Sequence, residues 1–465
     1  MPLRLYDTLD RTFHELTPMD GKTFRFYCCG PTVYGPAHIG NFRTFILQDV
    51  FRRVLELGGV PTLHVRNITD VDDKTIRDSL KAGVSLKEFT DGWTKRFHQD
   101  CAALNCLPPH IEPGAVEHIP QQIAMIETLM EKGNAYQAAD GSVYFKVSSF
   151  DNYGRLSRVK ERELQMTAST SEDDYEKDTL ADFALWKARK PEDGPNYWPG
   201  PWGEGRPGWH LECSAMTRAY LGDTFDLHSG GVDLIFPHHE NEIAQSECCT
   251  GRQFCRHWFH VTHLLVDGTK MSKSLGNLYT LTDLAEKGFS AGEVRYVLAG
   301  AHYRAQLNFT LDSLTAARSA LGRIAKAARA LAARSGLTNA DDVAGHGPGP
   351  FGEAWQSLNN DLNTAEALGH VFVTLKALKP DGLTAEEAAA AYRGLHFILS
   401  AFGFILPEPE TQAEDIPEDV RAVAEKRWAA RTAKNWADAD ALRKELDALG
   451  WAMKDGKEGY ELSRK

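Results

Sequence analysis

The 465-residue sequence has no long apolar run, and no window approaches the roughly 18 consecutive apolar residues that indicate a membrane-spanning helix. Its first segment, MPLRLYDTLDRTFHEL, lacks the apolar core of a secretory signal. Cysteine is sparse as well, with eight residues in the whole chain, which argues against a disulfide-stabilised scaffold. We therefore expect a cytoplasmic protein with free thiols, of which a few are available as metal ligands.

An excess of positive charge is also missing. The chain contains 52 Lys and Arg residues against 64 Asp and Glu residues, a formal net charge of −12. This balance excludes a generic nucleic-acid coat protein, which is basic overall, but it allows an enzyme that binds RNA through a local basic face. The hydrophobic fraction of 42% suffices for a large core. At roughly 150 residues per domain, the length predicts two to four domains.

The first clear structural pattern is a strand, a helix and a second strand. The run FRFYCCG, from Phe24 to Gly30, predicts a buried strand. From Ile39 onward apolar residues recur at helical spacing until Gly58 and Gly59 end the pattern. The segment PTLHVRNI then predicts another strand. Such a unit indicates a parallel sheet that binds its ligand at the carboxyl ends of its strands.

Two segments have the composition of phosphate-binding elements. PAHIGN, from Pro36 to Asn41, lies at the predicted strand-to-helix turn, where free backbone N–H groups favour anions. KMSKSLGN, from Lys270 to Asn277, places two lysines in a Gly-containing loop, and lysine is a compact cation for phosphate oxygens. Taken alone, a segment such as PAHIGN is more often a helix cap, and one such as KMSKSLGN is more often a solvated basic loop. The presence of both in one chain indicates phosphate binding far more specifically than either alone.

This pair of motifs resembles the two signatures of the class I aminoacyl-tRNA synthetases, which contact ATP from opposite sides while the amino acid carboxylate attacks the α-phosphate. The resemblance implies that His38, Lys270 and Lys273 are catalytic. It also implies an ATP site, with accompanying Mg²⁺, formed by His38, Gly40, Asn41 and Lys273. Asn41 departs from the family pattern, because it replaces the second signature histidine. Its amide can donate a hydrogen bond but cannot carry charge.

Two further segments, GWHLECSAM (Gly208–Met216) and FPHHENE (Phe236–Glu242), suggest a metal site. A histidine and a glutamate four residues apart share one helix face, and two cysteines would complete a set of established zinc ligands: Cys29, Cys213, His238 and Glu242. Spacing alone leaves rival ligands open: Cys28, His239 and Glu240. It also leaves open that the cysteines are core thiols and that HHENE is a capped helix start.

GWHLECSAM, PHHENEIAQS and NITDVDDK (Asn67–Lys74) together resemble the cysteinyl-tRNA synthetases, and the similarity covers nearly the whole chain. The resemblance implies one zinc ion per subunit, held by Cys29, Cys213, His238 and Glu242. It also places Thr69 and Trp209 near the bound amino acid, although ordinary core packing is the alternative for Trp209. The function implied is activation of L-cysteine with ATP to cysteinyl-adenylate and its transfer to tRNA(Cys) by a monomer.

The expected fold is α/β, with a Rossmann-type parallel-sheet catalytic domain, an insertion, an all-α helical bundle and a small α+β C-terminal domain. The Pro- and Gly-rich segment at the end of the insertion predicts irregular structure. By resemblance, the bundle contacts the tRNA stem and anticodon, and the C-terminal domain also binds tRNA. The predicted boundaries are 1–104 and 201–282 for the two catalytic halves, 105–200 for the insertion, 283–404 for the bundle and 415–465 for the C-terminal domain.

Zinc would have a clear purpose here, because cysteine and serine differ by one atom and a shape-based pocket separates near-isosteres poorly. A thiolate binds zinc directly, whereas a hydroxyl gains much less. The predicted insertion at 105–200 has about 95 residues, which is small for a separate hydrolytic editing domain. We therefore expect selection of cysteine without editing.

Two alternatives deserve a test. The related ligase that joins cysteine to an amino-sugar inositol in thiol biosynthesis would share the ATP and zinc sites but would not need the C-terminal tail. A non-catalytic tRNA-binding paralogue would be expected to lose active-site residues, and here only Asn41 departs from the pattern.

Overall fold

The computed structural model describes residues 2–159, 182–271, 275–337, 346–407, 416–456 and 459–464. The chain divides into two compact units, Met1–Leu406 and Pro407–Lys465. The strands are β1 Arg4–Tyr6, β2 Phe13–Glu15, β3 Phe24–Cys28, β4 Thr62–Arg66, β5 Ala135–Gln137, β6 Val143–Phe145, β7 Phe183–Ala188, β8 Trp198–Gly200, β9 Gly203–Pro207, β10 Phe225–Gly231, β11 Cys255–Val261, β12 Leu264–Val266, β13 Thr269–Lys270, β14 Leu307–Phe309, β15 Trp451–Asp455 and β16 Tyr460–Arg464. The helices are α1 Ile39–Leu57, α2 Asp73–Ala82, α3 Leu86–Ala103, α4 Ile119–Glu131, α5 Trp209–Leu221, α6 Glu240–Thr250, α7 Leu281–Glu286, α8 Ala291–Ala299, α9 Leu311–Ser335, α10 Gly352–Asn359, α11 Thr364–Ala377, α12 Ala385–Phe402, α13 Glu418–Thr432 and α14 Trp436–Ala448.

A four-stranded parallel sheet in the order β11-β10-β3-β4 forms the centre of the first unit. The predicted strand–helix–strand unit is confirmed as β3, α1 and β4. All seven residues of β10 are buried, as expected for an inner strand of a sheet covered on both faces. The chain enters this sheet from segments far apart in sequence, so its carboxyl edge gathers residues from both catalytic halves.

Helix α1 follows from its apolar spacing and its caps. The residues at the predicted core positions are at most 1% exposed and pack in the main core: Phe42, Ile46, Val50 and Val54. The backbone amide of Gly58 donates to the carbonyl of Val54 at 3.0 Å and ends the helix. Gly59 then turns the chain with a φ of 83°, a conformation that glycine adopts without steric cost.

The insertion contributes β5, β6, β7 and β8 to a five-stranded antiparallel sheet in the order β5-β6-β7-β9-β8, and β9 lies just beyond its predicted boundary at residue 200. The expectation that its Pro- and Gly-rich end lacks regular structure was wrong, because β8 and β9 lie within it. A side chain at Gly205 would lie 2.4 Å from the carbonyl oxygen of Lys187. Glycine therefore allows β9 to approach β7, and proline is tolerated because β8 is a three-residue edge strand.

The helices after Leu281 extend the main core, and a buried ion pair joins them to the sheet domain. Arg295 on α8 and Asp49 on α1 form a salt bridge in which their side chains are 0% and 4% exposed. The guanidinium of Arg295 also donates to the carbonyls of Phe402 at 2.8 Å and Leu104 at 2.7 Å. One side chain thus connects α1, α3, α8 and α12.

The second unit pairs α13 with α14 beside a β15–β16 hairpin. This agrees with the small α+β C-terminal domain expected from the sequence. Its small core is formed by Val420, Val423, Ala424 and Leu446. Across both units, none of the described helices has the length and hydrophobicity needed to cross a membrane.

Replacing Asp49 by Asn should lower the free energy of unfolding by about 3 kcal/mol, because Arg295 would keep a buried charge without its counterion. Chemical denaturation followed by circular dichroism measures the change. Asp91→Asn is the control, since the Lys87–Asp91 pair is 83% and 62% exposed and such pairs contribute below about 1 kcal/mol. Equal effects of the two substitutions would contradict the structural role of the buried pair.

Candidate active site and metal centre

A cavity of about 830 Å³ opens at the carboxyl edge of the parallel sheet. Cys29 follows β3, Gly231 ends β10 and Val261 ends β11, and all three line the cavity. Residues of both motif segments, including His38 and Lys270, line the same cavity. The parallel sheet therefore positions its site where the topology predicts a ligand.

Four predicted ligand residues converge beside this cavity, with one donor atom from each within 4.8 Å of the others. The Sγ atoms of Cys29 and Cys213 are 4.0 Å apart, and Oε1 of Glu242 is 3.9 Å from Sγ of Cys29. Nε2 of His238 lies 3.1 Å from the same oxygen. Tetrahedral zinc with ordinary bond lengths separates such atoms by about 3.3–3.8 Å. The donor types and their spacing therefore fit the metal.

The charges in this cluster support one another despite complete burial. Burial opposes ionisation of Glu242, but His228 and His238 outweigh it and lower the pKa of that carboxyl to about 2. Burial would lower the pKa of His238, but Glu242 and Cys213 raise it to about 10. Burial also disfavours the thiolate of Cys213, yet hydrogen bonds with Cys29 and His238 lower its pKa to about 6. Burial and the contact with Cys213 raise the pKa of the Cys29 thiol well above its ordinary value, so the cluster favours a deprotonated carboxylate and one thiolate, that of Cys213.

A second group shares two members of the first: Cys29, His228, His239 and Glu242. Nε2 of His239 is 3.3 Å from Sγ of Cys29, and its Nδ1 is 2.7 Å from Nε2 of His260. His228 contacts the other carboxylate oxygen of Glu242 at 2.9 Å. The rivalry of His239 that the sequence left open is therefore a real feature of the site, although this second group contains only one thiol.

The other two rival ligands lie elsewhere. The carboxylate of Glu240 accepts hydrogen bonds from the backbone amides of Gly154 at 2.8 Å and Ser157 at 2.8 Å. These bonds anchor residues 154–157 of the insertion. Cys28 is buried in the main core, and burial raises the pKa of its thiol well above the usual range. Neither residue belongs to the metal-capable groups found among the described residues.

The PAHIGN segment forms the start of α1, and Asn41 has a defined role there. The side chain of His38 accepts the backbone amide of Asn41 at 3.3 Å, while Oδ1 of Asn41 accepts the amide of His38 at 3.1 Å. A side chain at Gly40 would lie 3.0 Å from Nδ1 of His38, so glycine lets the ring lie against the helix. The amide of Ile39 donates to the carbonyl of Tyr279 at 2.9 Å and joins the two motif segments.

The second motif begins at Lys270, which ends β13 and lines the cavity. Nδ2 of Asn277 donates to the carbonyl of Lys270 at 3.1 Å and to Oγ1 of Thr269 at 3.2 Å, which closes the base of the loop. Lys273 lies outside the described residues, within 272–274. Its role therefore stays a prediction.

The two predicted cysteine-binding residues occupy different positions. Trp209 begins α5, lines the cavity and lies 4.4 Å, centroid to centroid, from the ring of His238, so it is not a core tryptophan. Thr69 is 2% exposed and donates its hydroxyl to Glu212 at 3.0 Å. Burial raises the pKa of Glu212 well above its ordinary value. Thr69 is thus held by a buried carboxyl directly before Cys213.

Sequence reasoning missed the histidines and the carboxyl that surround the ligand group: His210, Glu212, His228 and His260. Nδ1 of His210 lies 2.9 Å from Nδ1 of His238. For His210 and Glu212 the signal was present, since both lie within GWHLECSAM. Polar residues beside metal ligands often form the outer contacts that orient those ligands.

The second unit offers one clearly exposed aromatic residue. Trp436 is 60% exposed at the start of α14, whereas Trp428 packs 5.9 Å from the ring of Tyr460. Arg427 pairs with Asp455 at 2.7 Å, and Arg431 contacts the same carboxylate. These two arginines therefore stabilise the unit internally in addition to contributing positive charge.

Comparison with known proteins shows the family of this chain. The family model described as "tRNA synthetases class I (C) catalytic domain" matches residues 15–319, and the model described as "Cysteinyl-tRNA ligase anticodon binding domain" matches residues 413–461. The cysteine–tRNA ligase of Opitutus terrae is 57% identical, with 99% of each chain covered. The cysteine–tRNA ligase of Chlamydia muridarum is 44% identical, with 100% of each chain covered.

Solved structures agree on the fold. A Mycobacterium tuberculosis methionyl-tRNA synthetase in complex with methionyl-adenylate superposes with a TM-score of 0.59 at 15% identity, covering 82% of this chain and 89% of the other. The α/β fold class and the family resemblance inferred from the motifs are confirmed. The curated relatives are enzymes that use tRNA, which disfavours both the amino-sugar ligase and the non-catalytic paralogue. The chain therefore belongs to the cysteine–tRNA ligases, a family of class I aminoacyl-tRNA synthetases whose members charge tRNA with cysteine.

Proposed function

We propose that Cys29, Cys213, His238 and Glu242 hold one zinc ion, and that this ion selects L-cysteine over serine through the substrate's sulfur. The observation that carries the proposal is the convergence of two thiols, an imidazole and a carboxylate at one buried point beside the cavity. Bound zinc supplies a soft acceptor that favours a thiolate over a hydroxyl. Discrimination of about ten-thousandfold corresponds to roughly 5.5 kcal/mol at 1.36 kcal/mol per decade.

The assignment favours this group over the one with His228 and His239 for a physical reason. This group offers two thiol ligands and the other offers one, and thiolate is the softer ligand that zinc favours over imidazole and carboxylate. His228 contacts the second oxygen of Glu242, and His210 contacts the second nitrogen of His238. Such outer contacts orient metal ligands.

We infer that the ATP site lies across the cavity from this cluster, at the start of α1. Because Nδ1 of His38 accepts the amide of Asn41, the proton of the neutral ring resides on Nε2, which is a donor for a phosphate oxygen. Lys270 adds positive charge at the same cavity, and Lys273 is proposed to do so from the adjacent loop. The groups position ATP, its Mg²⁺ and the cysteine carboxylate, and no covalent protein intermediate is required.

Trp209 is proposed to form the wall that receives the amino acid, because its ring lines the cavity and stacks near the imidazole of His238. The contact fixes the orientation of a proposed zinc ligand and of the substrate wall together. Because Thr69 is almost completely buried, we propose that it acts on the bound amino acid indirectly, through its hydrogen bond to Glu212.

We also propose a separate role for each segment of the chain. The catalytic halves, 1–104 and 201–282, form cysteinyl-adenylate, and the insertion at 105–200 braces the site. The bundle at 283–404 contacts the stem and anticodon of tRNA(Cys), and the C-terminal residues 415–465 bind the tRNA as well. The match of an anticodon-binding family model to residues 413–461 supports the last assignment, as does the exposed indole of Trp436.

Replacing Glu242 by Gln should abolish stoichiometric zinc binding, because the metal would lose a charged ligand, and Cys213→Ser should do the same. Metal analysis of the purified protein measures the change. Glu240→Gln is the matched control two residues away: it weakens the anchoring of Gly154 and Ser157 and should lower thermal stability while one zinc per chain is kept. Loss of zinc only in the Glu240 variant would contradict the ligand assignment.

ATP–pyrophosphate exchange with serine should be at least about ten-thousandfold less efficient than with cysteine, measured as kcat/KM. The control substrate is 2-aminobutyrate, which has a methyl group in place of the thiol and should fail similarly. A pocket that selects by shape alone would accept near-isosteres, so efficient activation of either compound would overturn the proposed selection through sulfur.

Replacing Trp436 by Ala should lower kcat/KM for tRNA in the aminoacylation assay by about tenfold, because stacking of one base contributes roughly 1–3 kcal/mol. Trp436→Tyr should retain most of the activity, since it keeps an aromatic face. ATP–pyrophosphate exchange without tRNA is the control and should be unaffected. An unchanged aminoacylation rate would remove Trp436 from the tRNA-binding surface.

A further inference from the structure

We propose that the protein has a second divalent-cation site, formed by Asp7, His14 and His257 and independent of the proposed zinc centre. One donor atom from each of these residues lies within 4.8 Å of the others. Two imidazoles and one carboxylate form a donor set that binds first-row divalent cations and leaves coordination positions open. The site shares no residue with the group beside the cavity.

The distances suit direct coordination. Oδ2 of Asp7 is 3.1 Å from Nδ1 of His257, and ligand atoms about 2.0–2.1 Å from one metal ion lie roughly 3.0–3.4 Å apart. The rings of His14 and His257 have centroids 5.1 Å apart and an interplanar angle of 42°. Both rings therefore approach the Asp7 carboxylate without stacking flat on each other.

Asp7 and His257 are more deeply buried than ordinary charged or polar surface residues. Asp7 is 4% exposed and His257 is 7% exposed. Within the described part of the chain, the only ion-pair partner of Asp7 is His257. A nearly buried carboxylate without a lysine or arginine carries a desolvation cost. A bound cation with its hydration water would offset that cost.

The site is organised before any ion binds. Oδ1 of Asp7 accepts the amide of Leu9 at 2.7 Å, which leaves Oδ2 directed at His257. His14 lies opposite Leu5 in the β1–β2 pair, and Oδ2 of Asp10 holds its Nε2 at 2.6 Å. A carboxylate in contact with an imidazole is the usual outer support of a metal-bound histidine. His14 and Asp10 are 36% and 47% exposed, which provides an entry path.

The second site lies on the other face of β11 from the proposed zinc centre. Successive residues of a strand point to opposite faces, and Trp258, the neighbour of His257, stacks 4.8 Å from the ring of His228. The amide of Thr8 donates to the carbonyl of Trp258 at 3.0 Å and fastens the hairpin to the strand. A cation bound by Asp7, His14 and His257 would therefore lock the N-terminal hairpin to the edge strand of the sheet.

Cobalt titration of the purified, zinc-containing full-length protein tests the proposal. One Co²⁺ per chain should bind and produce weak visible bands without the thiolate charge-transfer band that sulfur ligands cause. His14→Ala should weaken this binding at least about tenfold, and Asp7→Asn should do the same. His98→Ala is the matched control, because His98 is 47% exposed, contacts the carboxylate of Glu112 at 2.6 Å and belongs to none of the three metal-capable groups found among the described residues.

The outcomes separate this site from the proposed zinc centre. Cys213→Ser should remove zinc yet leave the sulfur-free cobalt site in place, so either proposal can fail alone. Binding that is unchanged in the His14 and Asp7 variants would place the ion elsewhere on the surface and overturn the inference. Absence of sulfur-free cobalt binding in the unaltered protein would overturn it as well. His14→Ala changes a partly exposed side chain, so circular dichroism should show the fold intact.

Discussion

The buried carboxylate of Glu242 is the constraint on which the catalytic edge depends. Its two oxygens are shared between His228 on one side and His238 with Cys29 on the other. A completely buried carboxylate requires compensating charge or hydrogen bonds, and here the surrounding imidazoles lower its pKa to about 2. The charge therefore persists where a divalent metal would use it. Removing it would leave the thiols and imidazoles without the group that orders them.

The parallel sheet explains how so many polar groups can meet at one buried point. Cys29 follows β3, His228 lies in β10 and His260 lies in β11, and the carboxyl ends of parallel strands share one edge. Helices α5 and α6 bring Cys213 and Glu242 to the same edge. The same edge also carries the start of α1, so the metal-capable cluster and the PAHIGN turn border one cavity.

Much of this architecture could be predicted from local patterns. The spacing from Ile39 to Gly58 predicted α1, and the runs FRFYCCG and PTLHVRNI predicted the strands beside it, because apolar period and turn residues act over short distances. The prediction failed for the Pro- and Gly-rich end of the insertion. There, Gly205 is needed for close approach of a neighbouring strand, a requirement that depends on a partner distant in sequence. The candidate ligands were named correctly as a group that meets, but the competition from His228 and His239 became visible only in three dimensions.

By itself, the sequence determined the elements, the order of the motifs and the family, since each is written in contiguous residues whose chemistry is local. Asn41 shows the limit of that information: as a departure from a motif it looked like a loss, whereas the structure shows it closing a cap on His38. Tertiary structure alone decided which imidazoles surround Glu242, that Glu240 anchors backbone, and that Asp7, His14 and His257 meet. The physical reason is that such contacts join residues tens to hundreds of positions apart, and only the closed sheet and its packed helices set their distances.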